Sequence, residues 1–247
     1  MQVSSNKQRV LVLSDVHQDI ARLRYILTHE DYDFIVNLGD LFDSFDYRRE
    51  DDIVDTCKFI TEYIDNPNYI SLQGNHDLHY LYSSPMTWCS GYHKNKEKVI
   101  NRYFKQDKIE VRKKFRWYCW IDDFLCTHAG LHPYYLSPMQ SLNKEELSIW
   151  LDNESKKAET NLLIEQPHWF YSAGKARGGR ASVGGIVWLD FNQEFVAIDG
   201  LNQLCGHTPY NNITQYKNTN SYDIDCHVAQ YLIIQNGKLE IKDYVDL

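Results

Sequence analysis

No stretch of this 247-residue sequence is apolar for long enough to span a membrane. The longest runs are short, such as Val10–Leu13 and Gly184–Leu189. The opening residues Met1-Gln2-Val3-Ser4-Ser5-Asn6 lack the charged-then-apolar plan of a secretory signal. No Cys-x-x-Cys pair occurs among Cys57, Cys89, Cys119, Cys126, Cys205 and Cys226, which argues against a structural zinc site. With no export signal, these cysteines are expected to be reduced thiols in a cytoplasmic protein. Repeats, low-complexity tracts and Pro/Gly/Ser linkers are also missing, so a single domain is expected over 1–247. Positive charge is in deficit: 26 Lys+Arg against 34 Asp+Glu leave −8, which disfavours extended nucleic-acid binding. What remains is 43% hydrophobic and 24% charged residues, a balance that excludes a disordered or fibrous chain.

The first third alternates strand and helix patterns. Arg9–Ser14 is a continuous apolar run, as expected of a strand buried on both faces. Asp19–His29 carries Ile20, Leu23, Ile26 and Leu27 at helical spacing, Asp33–Leu38 reads as a second strand, Arg48–Asp65 as a helix and Tyr69–Leu72 as a third strand. That order implies parallel strands joined by right-handed crossovers. Further on, Trp117–Ile121 and Phe124–Thr127 read as a hairpin around Asp122-Asp123, and Asn143–Leu163 as a helix. Strands are predicted at Val183–Leu189, Gly200–Cys205, Ile213–Lys217, Ser221–Asp225, Ala229–Gln235 and Leu239–Val245. The polar and aromatic middle, 78–116, is read as an insertion or cap.

The polar residues fall where the strands end. The first three strands run into Ser14-Asp15-Val16-His17, Gly39-Asp40-Leu41-Phe42-Asp43 and Gly74-Asn75-His76-Asp77. Two later ones run into Thr127-His128-Ala129-Gly130 and Gly206-His207-Thr208-Pro209. In an open α/β sheet the loops beyond the carboxyl ends of the strands form the crevice, so these clusters are expected to converge. Each supplies carboxylate, imidazole or amide oxygen, the donors of a metal site, beside glycines that let the backbone turn. Any one cluster alone is an ordinary turn. Five in order, each at a strand end, are not.

These five blocks resemble the calcineurin-like metallophosphoesterase superfamily, from Asp15 to at least His207. The fourth and fifth look closest to small bacterial and bacteriophage members of its phosphoprotein-phosphatase branch. Ile224-Asp225-Cys226-His227 is similar to that branch's closing Ile-Asp-Thr-Gly segment. The resemblance implies an α/β sandwich of four layers, two mixed sheets flanked by helices, with a dinuclear site at the strand ends. It implies that Asp15 and His17 hold one ion, that Asp40 bridges both, and that Asn75, His128 and His207 hold the other. In such a centre two ions about 3.5–4 Å apart clamp phosphoryl oxygens and lower the pKa of a bridging water, whose hydroxide attacks phosphorus in line. His76 would then protonate the leaving oxygen, oriented by Asp43. Carboxylates mixed with imidazoles suit Mn²⁺, Fe or Zn²⁺ better than Mg²⁺ or Ca²⁺.

The implied activity is phosphomonoester hydrolysis, with phosphoserine or phosphothreonine proteins and small phosphoesters as substrates. Phosphodiesterase members often end in Gly-His-x-His, whereas the second position here is Pro209. Two departures open an alternative, a nucleotide phosphodiesterase or dinucleoside-polyphosphate hydrolase on the same centre. The branch's Arg-Gly after the second aspartate is replaced by Ser44-Phe45 after Asp43, and its Glu in the third block by Asp77. For the branch's other phosphate-binding arginine the candidates are Arg177 and Arg180 in Gly174–Arg180, ahead of Arg48 and Arg49. A non-catalytic metal-bound scaffold is a third reading, disfavoured because Asp43 and His76 are both present. His29, His79, His93, His132, His168 and His227 are assigned no role.

Overall fold

The computed structural model describes residues 1–44, 50–136 and 143–244. Arg48 and Arg49 therefore lie outside the described residues. In chain order the elements are β1 (Gln2–Val3), β2 (Val10–Leu13), α1 (Ile20–His29), β3 (Phe34–Asn37), α2 (Glu50–Tyr63) and β4 (Tyr69–Ser71). Next come α3 (Asn75–Tyr82), α4 (Lys94–Phe104), α5 (Lys108–Lys114), β5 (Tyr118–Ile121), β6 (Phe124–Thr127) and α6 (Lys144–Leu163). The chain closes with β7 (Asn202–Cys205), β8 (Thr214–Gln215), β9 (Ser221–Asp223), β10 (Gln230–Gln235) and β11 (Lys238–Asp243).

These strands form two mixed sheets. One has the order β11-β10-β2-β3-β4, in which β2, β3 and β4 run parallel and β10 pairs antiparallel to β2. The other has the order β1-β5-β6-β7-β9-β8, built on the antiparallel pair β5–β6, where Tyr118 lies opposite Thr127 and Ile121 opposite Phe124. The sequence of β2, Val-Leu-Val-Leu, shows why the sheets stack. Alternate side chains point to opposite faces. Val10 and Val12 pack with Leu204, Cys126 and Ile121 of the second sheet, while Leu11 and Leu13 pack against α1, α2 and α4. Helix α6 covers the outer face of the second sheet through Leu147, Leu151, Ala158 and Leu162, against Trp120 and Leu125. Helices thus flank two sheets, the four-layer arrangement expected.

The helix ends follow local chemistry. The Asp19 side chain accepts from the Arg22 backbone N–H at 3.1 Å to open α1, and Asn143 accepts from Glu146 at 2.8 Å to open α6. Within 78–116, α4 and α5 add Val99, Ile100, Phe104 and Val111 to the core beneath the first sheet.

One predicted strand does not form. Val183–Leu189 is a buried run of turns: Gly185 accepts from both Trp188 and Leu189 at 2.9 Å, and Ile186 accepts from Ala129 at 2.7 Å. A Cβ at Gly184 would meet the Trp188 carbonyl oxygen at 2.4 Å, so the tight turn needs glycine there. Burial alone made this segment look like a strand. A short β1 was not expected from the sequence, the predicted ends of the late strands move inward by at most two residues while β11 begins one residue early, and the predicted end Val245 lies outside the described residues.

Leu232 of β10 is fully buried between the sheets. Leu232→Ala is expected to lower unfolding free energy by about 2–5 kcal/mol, through lost transfer energy and the cavity left behind. Urea unfolding by circular dichroism would read it, and a loss below ~1 kcal/mol would mean that the sheets are not tightly packed at this point.

Candidate metal centre

The five strand-end clusters meet where the two sheets abut. Loops after β2 and β3 are laced together, with Asp15 N–H donating to Gly39 O at 3.0 Å and His17 N–H to Asp40 O at 2.8 Å. The second sheet joins through Gly206 N–H to His128 O at 2.6 Å and His207 N–H to Asp15 Oδ2 at 3.0 Å. This packing leaves no room for side chains at two places. A Cβ on Gly74 would lie 2.0 Å from Asp40 Oδ1, and one on Gly206 would lie 2.2 Å from Asp15 Oδ2. Asp15, His17, Asp40, Asp43 and His207 all adopt positive φ, an uncommon conformation for residues other than glycine. Strain of this kind persists only where surrounding contacts over-determine it.

Asp77 supplies many of those contacts. Its Oδ2 accepts from Asp40 N–H at 2.8 Å and Gly74 N–H at 3.0 Å, and its Oδ1 from Leu41 and Phe42 at 2.9 and 3.1 Å. The residue that departs from the expected Glu therefore ties the second and third loops together.

Asp40 is the common member of two donor groups, Asp15–His17–Asp40 and Asp40–His128–His207. Its Oδ2 lies 3.8 Å from His17 Nε2 and 3.4 Å from His128 Nε2, and Asn75 Oδ1 is 3.0 Å from His128 Nε2. Backbone carbonyls set the tautomers. His17 Nδ1 is 3.0 Å from Asp43 O and His128 Nδ1 is 3.0 Å from Leu38 O, so each Nδ1 donates its proton to a carbonyl and each Nε2 faces inward, free to hold an ion. His207 Nε2 is buried with no hydrogen-bond partner. Burial, reinforced by the positive fields of His128 and Arg177, pushes His207 well below the usual imidazole range and keeps it neutral. A set of carboxylates, imidazole nitrogens and an amide oxygen aimed at one another is stable only around positive charge. The residues fit a pair of divalent cations.

The electrostatics agree. Burial opposes ionisation of Asp40, but His128, His76 and His17 outweigh it and hold the carboxyl far below its ordinary range. Burial likewise opposes a charge on His128, yet Asp40 lifts it to about 9, so with no ion bound Nε2 carries a proton as well, and a cation there would take that proton's place. Asp225 is pushed up to about 8, chiefly by burial and then by the charge of Asp15.

Beside these donors, His76 Nδ1 lies 2.9 Å from Asp43 Oδ2. Burial disfavours the imidazolium, but Asp40 and the Asp43 hydrogen bond raise His76 well above its ordinary value. Asp43 is fully buried, and its other oxygen meets Lys96 Nζ at 2.5 Å. Lys96 is itself 1% exposed. It was not singled out in the sequence, although its spacing from Val99, Ile100 and Phe104 places it on the apolar stripe of α4. Of the two candidate arginines only Arg177 is tied to the centre. Its Nε lies 2.8 Å from Asp190 Oδ2, and its Nη2 donates to Thr208 Oγ1 at 2.9 Å and to His207 O at 3.3 Å. Arg180 is exposed.

A two-sheet sandwich with a shared carboxylate between two donor groups suits a metal-dependent hydrolase. The chain belongs to the calcineurin-like phosphoesterase family, whose model matches residues 8–211, and it is a phosphoesterase. No curated protein matches it in sequence. Among solved structures it is similar to a cold-active protein-tyrosine phosphatase of a psychrophile, Shewanella sp., at 14% identity and a TM-score of 0.67, covering 98% of this chain and 80% of that one. A protein serine/threonine phosphatase from Saccharomyces cerevisiae matches at 13% identity and a TM-score of 0.57, over 100% and 84% of the two chains. A putative diadenosine tetraphosphatase matches at 14% and 0.51, over 98% and 97%. At these identities the likenesses establish the fold. Among the described residues, no helix is long and apolar enough to cross a membrane.

Asp77→Ala removes the acceptor for four buried backbone N–H groups. In chelator, where no bound ion contributes, this variant is expected to unfold at least about 2–3 kcal/mol more readily than wild type, since a single unsatisfied buried donor costs about 1–3 kcal/mol. Denaturant titration would measure it, and an unchanged midpoint would show that the loops hold their shape without Asp77.

Proposed function

We propose that the protein is a dinuclear-metal phosphomonoester hydrolase, acting on phosphoserine or phosphothreonine in proteins and on small phosphomonoesters. The observation that carries this is the Asp43–His76 pair, set at 2.9 Å beside donor groups that share Asp40. Asp15 and His17 would hold one ion, Asn75, His128 and His207 the other, and Asp40 both, with Mn²⁺ the ion best suited to assay. Two such ions supply charge neutralisation at the phosphoryl oxygens and an acidified water.

The chain's own residues do the rest. Asp43 accepts from His76 Nδ1, which fixes the ring and keeps it protonated, so that Nε2–H can pass its proton to the departing oxygen. Lys96 holds the second Asp43 oxygen and keeps that carboxylate from turning away from the ring. Arg177 is braced by Asp190 and Thr208 beside His207, which leaves Nη1 to grip a phosphate oxygen. Pro209 in place of a second histidine favours monoesters, whose extra negative charge a guanidinium rewards.

With Mn²⁺, turnover is expected on p-nitrophenyl phosphate and a phosphopeptide, well above that on bis-p-nitrophenyl phosphate or diadenosine tetraphosphate. Excess chelator is expected to abolish it. His76→Asn should keep the metal content while lowering kcat by roughly 10²–10⁴-fold, more on a serine phosphate than on p-nitrophenyl phosphate, whose leaving group needs little protonation. Equal losses on both substrates would rule out His76 as the acid. Arg177→Ala is expected to cut kcat/KM for phosphomonoesters by about 10–100-fold, with Arg177→Lys only partly restoring it. If diadenosine tetraphosphate proves the preferred substrate, the nucleotide reading that Ser44 suggests replaces this one.

A further inference from the structure

We infer that His76, His79 and Cys89 form a separate site for a thiophilic divalent ion such as Zn²⁺ or Cd²⁺, whose occupation disables the proton donor of the phosphoesterase reaction. The binding claim stands on geometry alone, whereas its inhibitory consequence rests on the reading of His76 as the acid.

The ligands come from one short stretch. His76 and His79 are three residues apart on α3 and share a face of it. Cys89, ten residues beyond His79, brings its Sγ to 3.7 Å from His76 Nδ1 and 3.5 Å from His79 Nδ1. One donor atom from each of the three lies within 4.8 Å of the others. Around tetrahedral zinc, with Zn–S of about 2.3 Å and Zn–N of about 2.0–2.1 Å, sulfur and nitrogen stand about 3.6 Å apart. Both S–N separations are already at that value. No thiol belongs to the donor groups around Asp40, so a soft ion is sorted to this second place by ligand type.

The state of His79 points the same way. It is completely buried, with Nδ1 3.2 Å from Thr87 O and Nε2 3.7 Å from Asp43 Oδ2. Nε2 has no hydrogen-bond partner. A proton on Nδ1 suits Thr87 and turns the Nε2 lone pair toward the carboxylate. A proton on Nε2 suits Asp43 and turns the Nδ1 lone pair toward the Thr87 oxygen and the sulfur. Burial lowers His79 to about 4, so carrying both protons is no remedy near neutrality. A cation at Nδ1, with the proton on Nε2 facing Asp43, resolves the conflict and yields the carboxylate–histidine–metal arrangement common in metalloproteins.

Access is through Cys89, which is partly exposed while the other five cysteines are buried. Binding would release the thiol proton and the His76 Nδ1 proton to solvent. The His76 ring then loses its bond to Asp43. Its remaining Nε2–H belongs to a neutral ring, a weaker acid than the imidazolium it replaces. Hydrolysis of esters with poor leaving groups should fall in proportion.

The test is a Cd²⁺ titration of the Mn²⁺-loaded protein, following the ultraviolet charge-transfer band of cadmium thiolate together with phenyl phosphate hydrolysis. One equivalent per chain is expected to raise the band and suppress hydrolysis in step. Cys89→Ser should lack the band and keep its Mn²⁺-dependent rate in the presence of Cd²⁺, while His79→Gln should weaken cadmium binding by about 10–100-fold. No band, or an undiminished band in Cys89→Ser, would overturn the site. A one-equivalent band that vanishes in Cys89→Ser, with hydrolysis unaffected in wild type, would leave the site standing and overturn His76 as the acid.

Discussion

A single buried carboxylate organises this molecule. Asp40 is 1% exposed, accepts the backbone N–H of His76 at 2.9 Å through one oxygen, and turns the other toward His17 and His128. A charge so deeply placed is tolerated only where other groups compensate it. Everything around Asp40 can be understood as that compensation: imidazoles from both sheets, backbone N–H groups, and two glycine positions that let the loops approach.

The constraint reaches outward through the loops. Asp77 fixes the backbone of the Asp40 loop, and the Asp40 loop in turn carries Asp43 at its far end. Lys96 then links Asp43 to α4, so a helix that packs beneath the first sheet also steadies the pair beside the donors. Chemistry and packing are not separable here. A change that loosened α4 would be felt at His76 without touching it.

Much of this was legible in the chain. The residue types at the ends of β2, β3, β4, β6 and β7 are those a metal site demands, and a strand end is where a parallel sheet exposes its loops. The continuous apolar run of β2 announced burial on both faces. Three features were not readable, each for a physical reason. Val183–Leu189 is as apolar as a strand, but its two glycines fold it into turns, and periodicity cannot separate a buried strand from a buried loop. Lys96 was not singled out, because sequence shows charge more readily than the face on which it falls. His79 was set aside because nothing local announces that Cys89 will come to rest against it.

The contact between His207 N–H and the Asp15 carboxylate joins residues 192 positions apart, and donors on both sides of it are aimed at the same region. A contact of that span pays its ordering entropy only where packed sheets repay it. Both sheets draw on the last part of the sequence, β8 and β9 in one and β10 and β11 in the other, with β10 lying directly against β2. The loop that carries Asp15 and His17 therefore leaves a strand held in place by residues more than two hundred positions away, and a disturbance far along the chain reaches the donors through that pairing.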